Sequence, residues 1–304
     1  MTTPTANRPA HRTRAAWPSP PGALRVRPLP RESAASYLTR LAATYHLNPA
    51  HLLDGLYITA TGTPAAPSAV DIHLSNEAVR RLSAFTRTPP AHLTRALLHR
   101  PPPAAIGTAY AATARWQPLQ PAVQPLPACT ACTISRSPHT TVHAWIHPDP
   151  ALPRTVICTR HQQAASDPRH RVPLDIRCLP DLTRARLAAR RRPTAASLSW
   201  AMTITTRWYD HHQHLQIRWH ERLHQLTAAN PHLTPSPASP TLTCRGLITY
   251  PETLTLAAAL DRLPPQPLNR AQQTAFLHHL AGRLQLPRLA PADHDLLWQR
   301  LHTH

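Results

Sequence analysis

Cys129-Thr-Ala-Cys132 and Cys158-Thr-Arg-His161 are the two stretches that decide how this chain folds, and 25 residues lie between them. Within each stretch two residues separate the paired side chains, so one tight turn can present both to the same metal ion. Zn²⁺ prefers four ligands in a tetrahedron, and thiolate with imidazole suits it. The spacing therefore predicts a closed, structural Cys₃His zinc site, which stabilises a fold and leaves no coordination position open for water.

The segment between the two Cys stretches is predicted to form a small β-hairpin. Residues 140–146 are strand-like, residues 147–150 contain two prolines typical of a turn, and residues 154–157 lead back to the second Cys stretch. We expect this hairpin to belong to a small zinc ribbon-like module over residues 128–170.

The composition indicates a basic protein of two or three small domains. The 304 residues carry a formal net charge of +19, and all 33 basic residues are arginine. A surface this positive attracts polyanions, of which nucleic acid is the commonest, and a guanidinium can grip phosphate or a guanine edge with two hydrogen bonds. DNA is therefore the expected partner. The 37 prolines predict many segment boundaries and little sheet.

Cysteine usage and hydropathy predict a cytoplasmic protein. The zinc site takes three of the five cysteines, which leaves Cys178 and Cys244 as free thiols and fits a reducing compartment better than a disulfide framework. The N-terminus lacks the apolar run of a signal peptide, and no apolar stretch approaches the roughly 18 residues of a membrane helix. We therefore expect no membrane partner.

Hydrophobic periodicity predicts a mainly α-helical chain around the zinc module. Residues 1–23 are polar and rich in Pro and Arg, so a disordered arm is expected there. Residues 24–103 are predicted to form a helical unit, and a Pro-rich linker is expected over residues 104–127. Beyond the zinc module, residues 171–304 are expected to form a helical bundle with a linker near residues 230–240.

Local signals predict several helix starts in these two helical regions. Ser33, Asn48 and Asn269 each precede an apolar helical pattern and are expected to cap it, and Pro49 follows Asn48 at the first helical position. Residues 195–228 are predicted to form one long helix or two.

The N-terminal unit contains a repeat with a period of 41 residues. Arg40-Leu-Ala-Ala43 matches Arg81-Leu-Ser-Ala84, and Pro49-Ala-His-Leu52 matches Pro90-Ala-His-Leu93. Each copy is predicted to be a helix, a short turn and a second short helix, which is the length scale of a helix-turn-helix whose second helix can enter the major groove. A pair of αα-hairpins that pack on each other is the alternative.

Two clusters of basic and polar side chains are candidate DNA contacts. One lies on and around the second helix of the second copy. The other is the Arg-rich end of a helix predicted to start near Asp181, for which a merely solvated helix face is the alternative. The candidate DNA-binding residues are Arg87, His92, Thr94, Arg95, Arg100, Arg184, Arg186, Arg190, Arg191 and Arg192.

One motif indicates a different function. His220-Glu-Arg-Leu-His224 fits the H-E-x-x-H pattern, in which two His on one helix face bind Zn²⁺ while Glu activates water. Arg218 and Arg222 crowd the motif with charge, whereas such helices are usually apolar around it. An amphipathic helix with His on its wet face is therefore favoured over a metallohydrolase, and no catalytic residue is predicted.

The stretch from Arg27 to Ala42, Arg-Pro-Leu-Pro-Arg-Glu-Ser-Ala-Ala-Ser-Tyr-Leu-Thr-Arg-Leu-Ala, resembles the opening signature of the TniQ family. The downstream C-x-x-C, the central Trp145 and C-x-x-H are similar to the zinc module of that family. The resemblance covers about residues 24–161. By motif match, it implies that the two cysteine stretches supply the structural zinc ligands.

The same resemblance implies roles for three residues of the signature and for the whole chain. Glu32, Ser36 and Arg40 are expected to fix the N-terminal fold by capping and ion pairing, with partner contact as the alternative. Family members act in transposition of the Tn7-like kind, where they select the target, bind target DNA or a guide-RNA complex on it, and recruit an AAA+ ATPase regulator and then the transposase. The expected function is a DNA-binding target-selection adaptor. A zinc-containing helix-turn-helix transcription regulator is the alternative, and the oligomeric state, including a homodimer, stays open.

Overall fold

The structure is a computed structural model of the chain and describes residues 21–97, 111–170, 172–189, 193–211, 213–233, 240–264, 266, 268–289 and 297. About half of these residues are helical, which confirms the mainly α fold class, and short strands form three small sheets. The described α-helices are α1 Ala34–Thr44, α2 Pro49–Gly55, α3 Asn76–Thr86, α4 Pro90–Ala96, α5 Thr130–Arg136, α6 Pro180–Ala188, α7 Ala195–His211, α8 Gln213–Ala229, α9 Pro240–Ile248, α10 Tyr250–Leu260 and α11 Arg270–Leu284. The described strands are β1 Thr59–Thr61, β2 Val70–Leu74, β3 Thr113–Pro118, β4 Leu126–Pro127, β5 Trp145–Ile146, β6 Val156–Cys158, β7 Gln163–Ala165 and β8 Leu174–Asp175.

Polar caps begin three helices where the sequence predicts them. The Ser33 hydroxyl accepts a hydrogen bond from the backbone N–H of Ser36 at the start of α1, and the Asn48 side chain accepts one from the N–H of His51 at the start of α2. Asn269 begins α11 with a reciprocal capping box. Each cap satisfies a backbone N–H that would otherwise lack a partner, so these three helix starts are confirmed.

Two helix pairs, α1 with α2 and α3 with α4, occupy the two copies of the 41-residue repeat. The equivalent residues Leu41 and Leu82 are both buried in one N-terminal core. Arg87 ends α3 in the left-handed conformation, with a φ of 54°. Both copies are helical as expected, whereas contact of either copy with DNA stays a prediction.

A three-stranded sheet with the order β1-β3-β2 joins the two helix pairs, and the sequence did not predict it. The central strand β3 is parallel to β1 and antiparallel to β2, and it contributes Ala114 and Trp116 to the core that the helix pairs share. The linker expected over residues 104–127 is therefore wrong for residues 113–118. Those residues pair with strands at least 40 residues earlier in the chain, which a local sequence pattern does not reveal.

The zinc module contains a hairpin, but not between the segments that were predicted to pair. Within residues 140–146 the strand is β5 alone, and it pairs with β4 instead of with residues 154–157. Prolines at positions 148, 150 and 153 lack the N–H groups that a ladder over this stretch would need. The observed hairpin runs from β6 through a turn that contains His161 into β7. Because β8 pairs with β7, the sheet continues past the expected module boundary at residue 170.

The C-terminal region packs helices α6 to α11 around its own core, to which Leu152 and Ala164 of the zinc module also contribute. The segment predicted as one long helix or two forms two, α7 and α8. Helix α10 lies against α6 and α7 and carries the buried Glu252. None of the described helices combines the length and apolar character that crossing a membrane requires.

Several expectations fall partly outside the described residues. They are the disordered arm, of which residues 1–20 are not described, the end of the N-terminal unit at 98–103, and the linker near 230–240, of which residues 234–239 are not described. On either side of that linker, α8 ends at residue 229 and α9 begins at residue 240.

Candidate metal centre and nucleic-acid interface

Two local structures present the four candidate metal ligands to one point. Cys129 lies at the N-cap of α5 and Cys132 lies in its first turn, so the helix start holds both thiols on one side. Cys158 ends β6, and His161 lies in the turn before β7. The neighbouring Gln162 has a φ of 50°, and this left-handed residue reverses the chain so that the imidazole faces the thiols.

The distances between the donor atoms fit one tetrahedral zinc ion. Zn–S bonds of about 2.3 Å and Zn–N bonds of about 2.0–2.1 Å require S···S edges of about 3.8 Å and S···N edges of about 3.6 Å. The Sγ atoms of Cys132 and Cys158 are 3.8 Å apart. His161 Nδ1 lies 3.3 Å from the sulfurs of Cys129 and Cys132 and 3.6 Å from that of Cys158. All four donor atoms lie within 4.8 Å of one another, so the four predicted ligands are brought together.

The thiols of this centre need a cation to become thiolates. Burial, together with the neighbouring Cys158 sulfur, raises the pKa of Cys129 to about 12. Burial also raises the pKa of Cys132. At neutral pH these groups are therefore protonated on their own, and a divalent ion would supply the charge that stabilises their ionised form.

Hydrogen bonds around the centre join α5 to β7 and fix the start of α5, where Cys129 lies. The side-chain oxygen of Gln163, on β7, accepts a hydrogen bond of 2.9 Å from the backbone N–H of Thr130 on α5. The hydroxyl of Thr133 donates to the carbonyl of Cys129 at 3.0 Å. Such contacts orient ligands before a metal binds, which is how an outer shell tunes a metal site.

A buried ion pair joins the signature helix α1 to the zinc module. Arg40 donates from Nε to one Glu32 oxygen at 2.7 Å and from Nη2 to the other at 2.6 Å, and both side chains are fully buried. The guanidinium also donates to the Ser137 hydroxyl at the end of α5 at 2.6 Å. Ser36 donates to Glu32 and accepts from the backbone N–H of Trp145 on β5, at 2.9 and 2.8 Å.

These contacts decide the role of the three signature residues. Glu32, Ser36 and Arg40 are each 0% exposed, so their side chains cannot reach a partner on the surface. The interpretation as fold-fixing residues is confirmed, and the alternative of direct partner contact is wrong for the folded chain.

The predicted DNA-binding residues are placed in two separate regions. Arg87, His92 and Arg95 are exposed at the end of α3 and on α4. The hydroxyl of Thr94 donates to the carbonyl of Pro90 within α4, so it is already used by its own helix. Arg184 and Arg186 lie on α6. The other candidates, Arg100, Arg190, Arg191 and Arg192, lie outside the described residues.

The exposed face of α4 borders a recess of about 580 Å³ that sequence reasoning missed as a unit. Three chain segments line it, namely the stretch before α1, helix α4 and the end of α5. Its positively charged and imidazole side chains define what we call the basic groove: Arg25, Arg27, Arg31, His92, Arg95 and Arg136. The sequence offered one signal, the three Arg and two Pro within residues 25–31, but it did not show that Arg136 lies beside those arginines.

The second candidate cluster lies in mixed-charge surroundings. Arg184 borders a cavity whose lining also includes the carboxylates of Asp181, Glu221 and Glu252. These acids lower the local positive potential, which makes α6 a poorer site for phosphate than the basic groove.

The H-E-x-x-H stretch on α8 is built around its buried arginine. Arg222 pairs with Glu252 at 2.7 Å and with Asp181 at 2.6 Å, and it donates to the carbonyl of Ile248. His220, Glu221 and His224 are exposed on the other side of the helix. Within the described residues, the two histidines do not belong to any group of three or more metal-ligating side chains.

The fold and the site together define a mainly helical protein whose N-terminal half is organised around a Cys₃His module. The family model described as TniQ matches residues 23–164, so the chain carries a TniQ domain and the resemblance stated above is confirmed. That range contains both helix pairs, the basic groove and all four candidate zinc ligands. The match supports an association with transposition of the Tn7-like kind. No curated protein and no solved structure matches the chain.

Proposed function

We propose that the chain is a target-selection adaptor of Tn7-like transposition that binds DNA and recruits an AAA+ regulator to it. One observation carries this proposal. The TniQ match over residues 23–164 coincides with the segment that holds the four-ligand centre and the buried signature pair of Arg40 and Glu32. The motifs that suggested the family are thus the parts that hold this domain together.

Zinc serves the adaptor as a structural ion held by Cys129, Cys132, Cys158 and His161. When bound, it supplies a cross-link between α5 and the β6–β7 hairpin. With four protein ligands it has no open position, so it contributes folding energy and no bond chemistry. The chain's own residues do the rest, because α5 carries both Ser137, at its end, and Arg136.

DNA binding is supported by charge and by its distribution. The net charge of +19 favours association with a polyanion. Arg87, His92 and Arg95 are exposed, and the basic groove adds three more arginines from the stretch before α1 and one from α5. Guanidinium groups bind phosphate with two hydrogen bonds each, which favours this surface over the mixed-charge surface of α6.

Recruitment of an AAA+ regulator, directly on DNA or beside a guide-RNA complex, rests on the family relationship. The exposed Arg95 on α4 and the C-terminal helices α6 to α11 lie on different parts of the chain. An adaptor needs such a division, because one surface must stay free while the other is bound to DNA.

Two binding measurements test the proposal. The full chain should bind duplex DNA with an affinity that falls steeply as salt rises, since each neutralised phosphate releases counterions. The DNA-bound chain should then retain an AAA+ transposition regulator from the same genome in the presence of ATP. Absence of duplex binding at low salt would contradict the DNA role. Duplex binding without retention of the regulator would favour the alternative of a transcription regulator.

A further inference from the structure

The basic groove brings positive charge from three distant parts of the chain into one recess. Arg25, Arg27 and Arg31 come from the stretch before α1, His92 and Arg95 from one face of α4, and Arg136 from the end of α5. On α4, positions 92 and 95 are one helical turn apart, so their side chains face the same side. No local sequence feature requires these six residues to converge, so their convergence belongs to the folded domain.

Two of the arginines are fixed in place by hydrogen bonds to backbone carbonyls. Arg31 donates from Nε to the carbonyl of His147 at 3.0 Å and from Nη2 to that of Pro148 at 2.6 Å. Arg136 donates from Nη1 to the carbonyl of Pro28 at 3.2 Å. A carbonyl oxygen carries no net charge, so these hydrogen bonds orient the two guanidinium groups without adding an anion to the lining of the groove.

Among the residues that the structure describes, the other three arginines have no counter-ion. Within the described part of the chain, the side chains of Arg25, Arg27 and Arg95 make no hydrogen bond or ion pair, and all three are exposed. The lining of the recess contains no carboxylate among the described residues. The like charges of Arg25, Arg27 and Arg95 around one recess repel one another, and an anion that enters the recess weakens this repulsion.

The chemistry of the lining indicates which anion fits. Beside the arginines stand three prolines, a threonine and an alanine, and among the described lining residues the imidazole of His92 is the one aromatic ring. Proteins that bind single strands combine a positive groove with aromatic rings on which bases stack. A groove of arginines without such a platform suits the phosphates of a duplex, whose bases stay stacked on each other.

We propose that the basic groove binds the phosphate backbone of duplex DNA and positions the adaptor on DNA without reading its sequence. This inference rests on the proposed function, because it assigns the DNA contact of that adaptor to a particular surface. Contacts to phosphate fix register and orientation but carry no sequence information directly. Selection of the target would therefore come from another surface or from a partner.

The test compares two triple variants of the full chain in duplex-binding titrations across a salt series. The groove variant carries Arg25→Ala, Arg27→Ala and Arg95→Ala. The matched control carries Arg262→Ala, Arg270→Ala and Arg288→Ala, which removes the same charge from exposed arginines of the C-terminal region. Each variant is measured on two duplexes of unrelated sequence and equal length. Before these titrations, its zinc content and thermal unfolding temperature are shown to equal those of the parent chain.

The groove variant should bind both duplexes at least about tenfold more weakly than the parent at low salt. The slope of log K against log salt should also become shallower by about 0.9 for each phosphate contact that is lost. The control should retain the parent slope, because its arginines lie outside the recess.

One outcome would show that the proposed function fails, and three others would overturn the inference about the groove alone. If the parent chain binds no duplex, the DNA role itself fails. If the parent binds but the groove variant behaves like the control, the groove is not the contact. If the loss is confined to one of the two duplexes, the groove reads sequence. If a titration with a folded RNA shows that the groove variant loses RNA binding while its duplex binding stays intact, the groove belongs to a guide-RNA complex.

Discussion

Arg40 Nη1 donates a hydrogen bond of 2.6 Å to the hydroxyl of Ser137, although 97 residues separate the two along the chain. Arg40 lies on the signature helix α1, and Ser137 ends the helix that begins at the candidate zinc ligand Cys129. The same guanidinium neutralises the buried Glu32. One side chain thus links the N-terminal helical core to the metal centre, which explains why the two motifs that suggested the family belong to one domain.

Replacing Arg40 by Ala should destabilise the TniQ domain strongly. The change leaves the carboxylate of Glu32 buried without its partner, and breaking a buried pair in this way costs about 3–5 kcal/mol. Chemical denaturation of the full chain measures the loss. The control is Arg80→Ala, because Arg80 is 57% exposed in its pair with Glu77 and such pairs contribute about 0–1 kcal/mol. Equal stability of the two variants would show that the buried pair does not hold the domain.

Replacing Cys132 by Ser should abolish stoichiometric zinc binding. The change removes one of four ligands from a closed centre, and a structural zinc site loses folding energy together with its metal. Metal analysis and near-ultraviolet circular dichroism report the two losses. Cys178→Ser is the matched control, because the Cys178 thiol donates a hydrogen bond to the carbonyl of Gln225 on α8 and lies outside the centre. Full zinc content in the Cys132 variant would contradict the ligand assignment.

Zinc affinity should fall as the pH is lowered. Burial raises the pKa of Cys129 to about 12 and also raises that of Cys132 in the metal-free centre, so protons compete with the metal over the whole neutral range. Binding therefore releases protons, and each unit of pH removed weakens it further. Calorimetric titrations in buffers of different ionisation enthalpy count the released protons. Affinity that is unchanged between pH 8 and pH 6 would show that the metal does not displace protons from thiols.

Glu221, in the H-E-x-x-H stretch, and Glu252, which pairs with Arg222 of that stretch, should respond differently to replacement by Gln. Glu252→Gln should lower the stability of the C-terminal region by about 3 kcal/mol or more. The buried Glu252 carboxylate accepts hydrogen bonds from Arg222, Arg218 and the indole N–H of Trp219. Glu221→Gln should change stability by no more than about 0.5 kcal/mol, since Glu221 is exposed. A hydrolytic activity that disappears in the Glu221 variant would instead establish the metallohydrolase.

Much of the local structure could be predicted from the sequence because it depends on neighbouring residues. Ser33, Asn48 and Asn269 cap helices through bonds to N–H groups three residues away. The candidate zinc ligands could be recognised for a similar reason, since the two ligands within each Cys stretch are close neighbours along the chain.

The sheet and the groove could not be predicted because they depend on long-range pairing. Strand β2 shows the alternation that indicates a strand, with Val70, Ile72 and Leu74 buried and the residues between them less so. Nothing local, however, identifies β3 as its partner 40 or more residues later. The basic groove likewise joins three segments that are distant from one another along the chain.

The most direct test of the central claim measures metal content and duplex DNA binding on one purified sample of the full chain, before and after chelation. We expect one zinc ion per chain and strongly salt-dependent duplex binding. Both should be lost together on chelation and restored when zinc is returned, because α5 contributes to the centre and to the groove. A chain that holds one zinc ion but binds no duplex at low salt would contradict the claim that this zinc-organised domain places the adaptor on DNA.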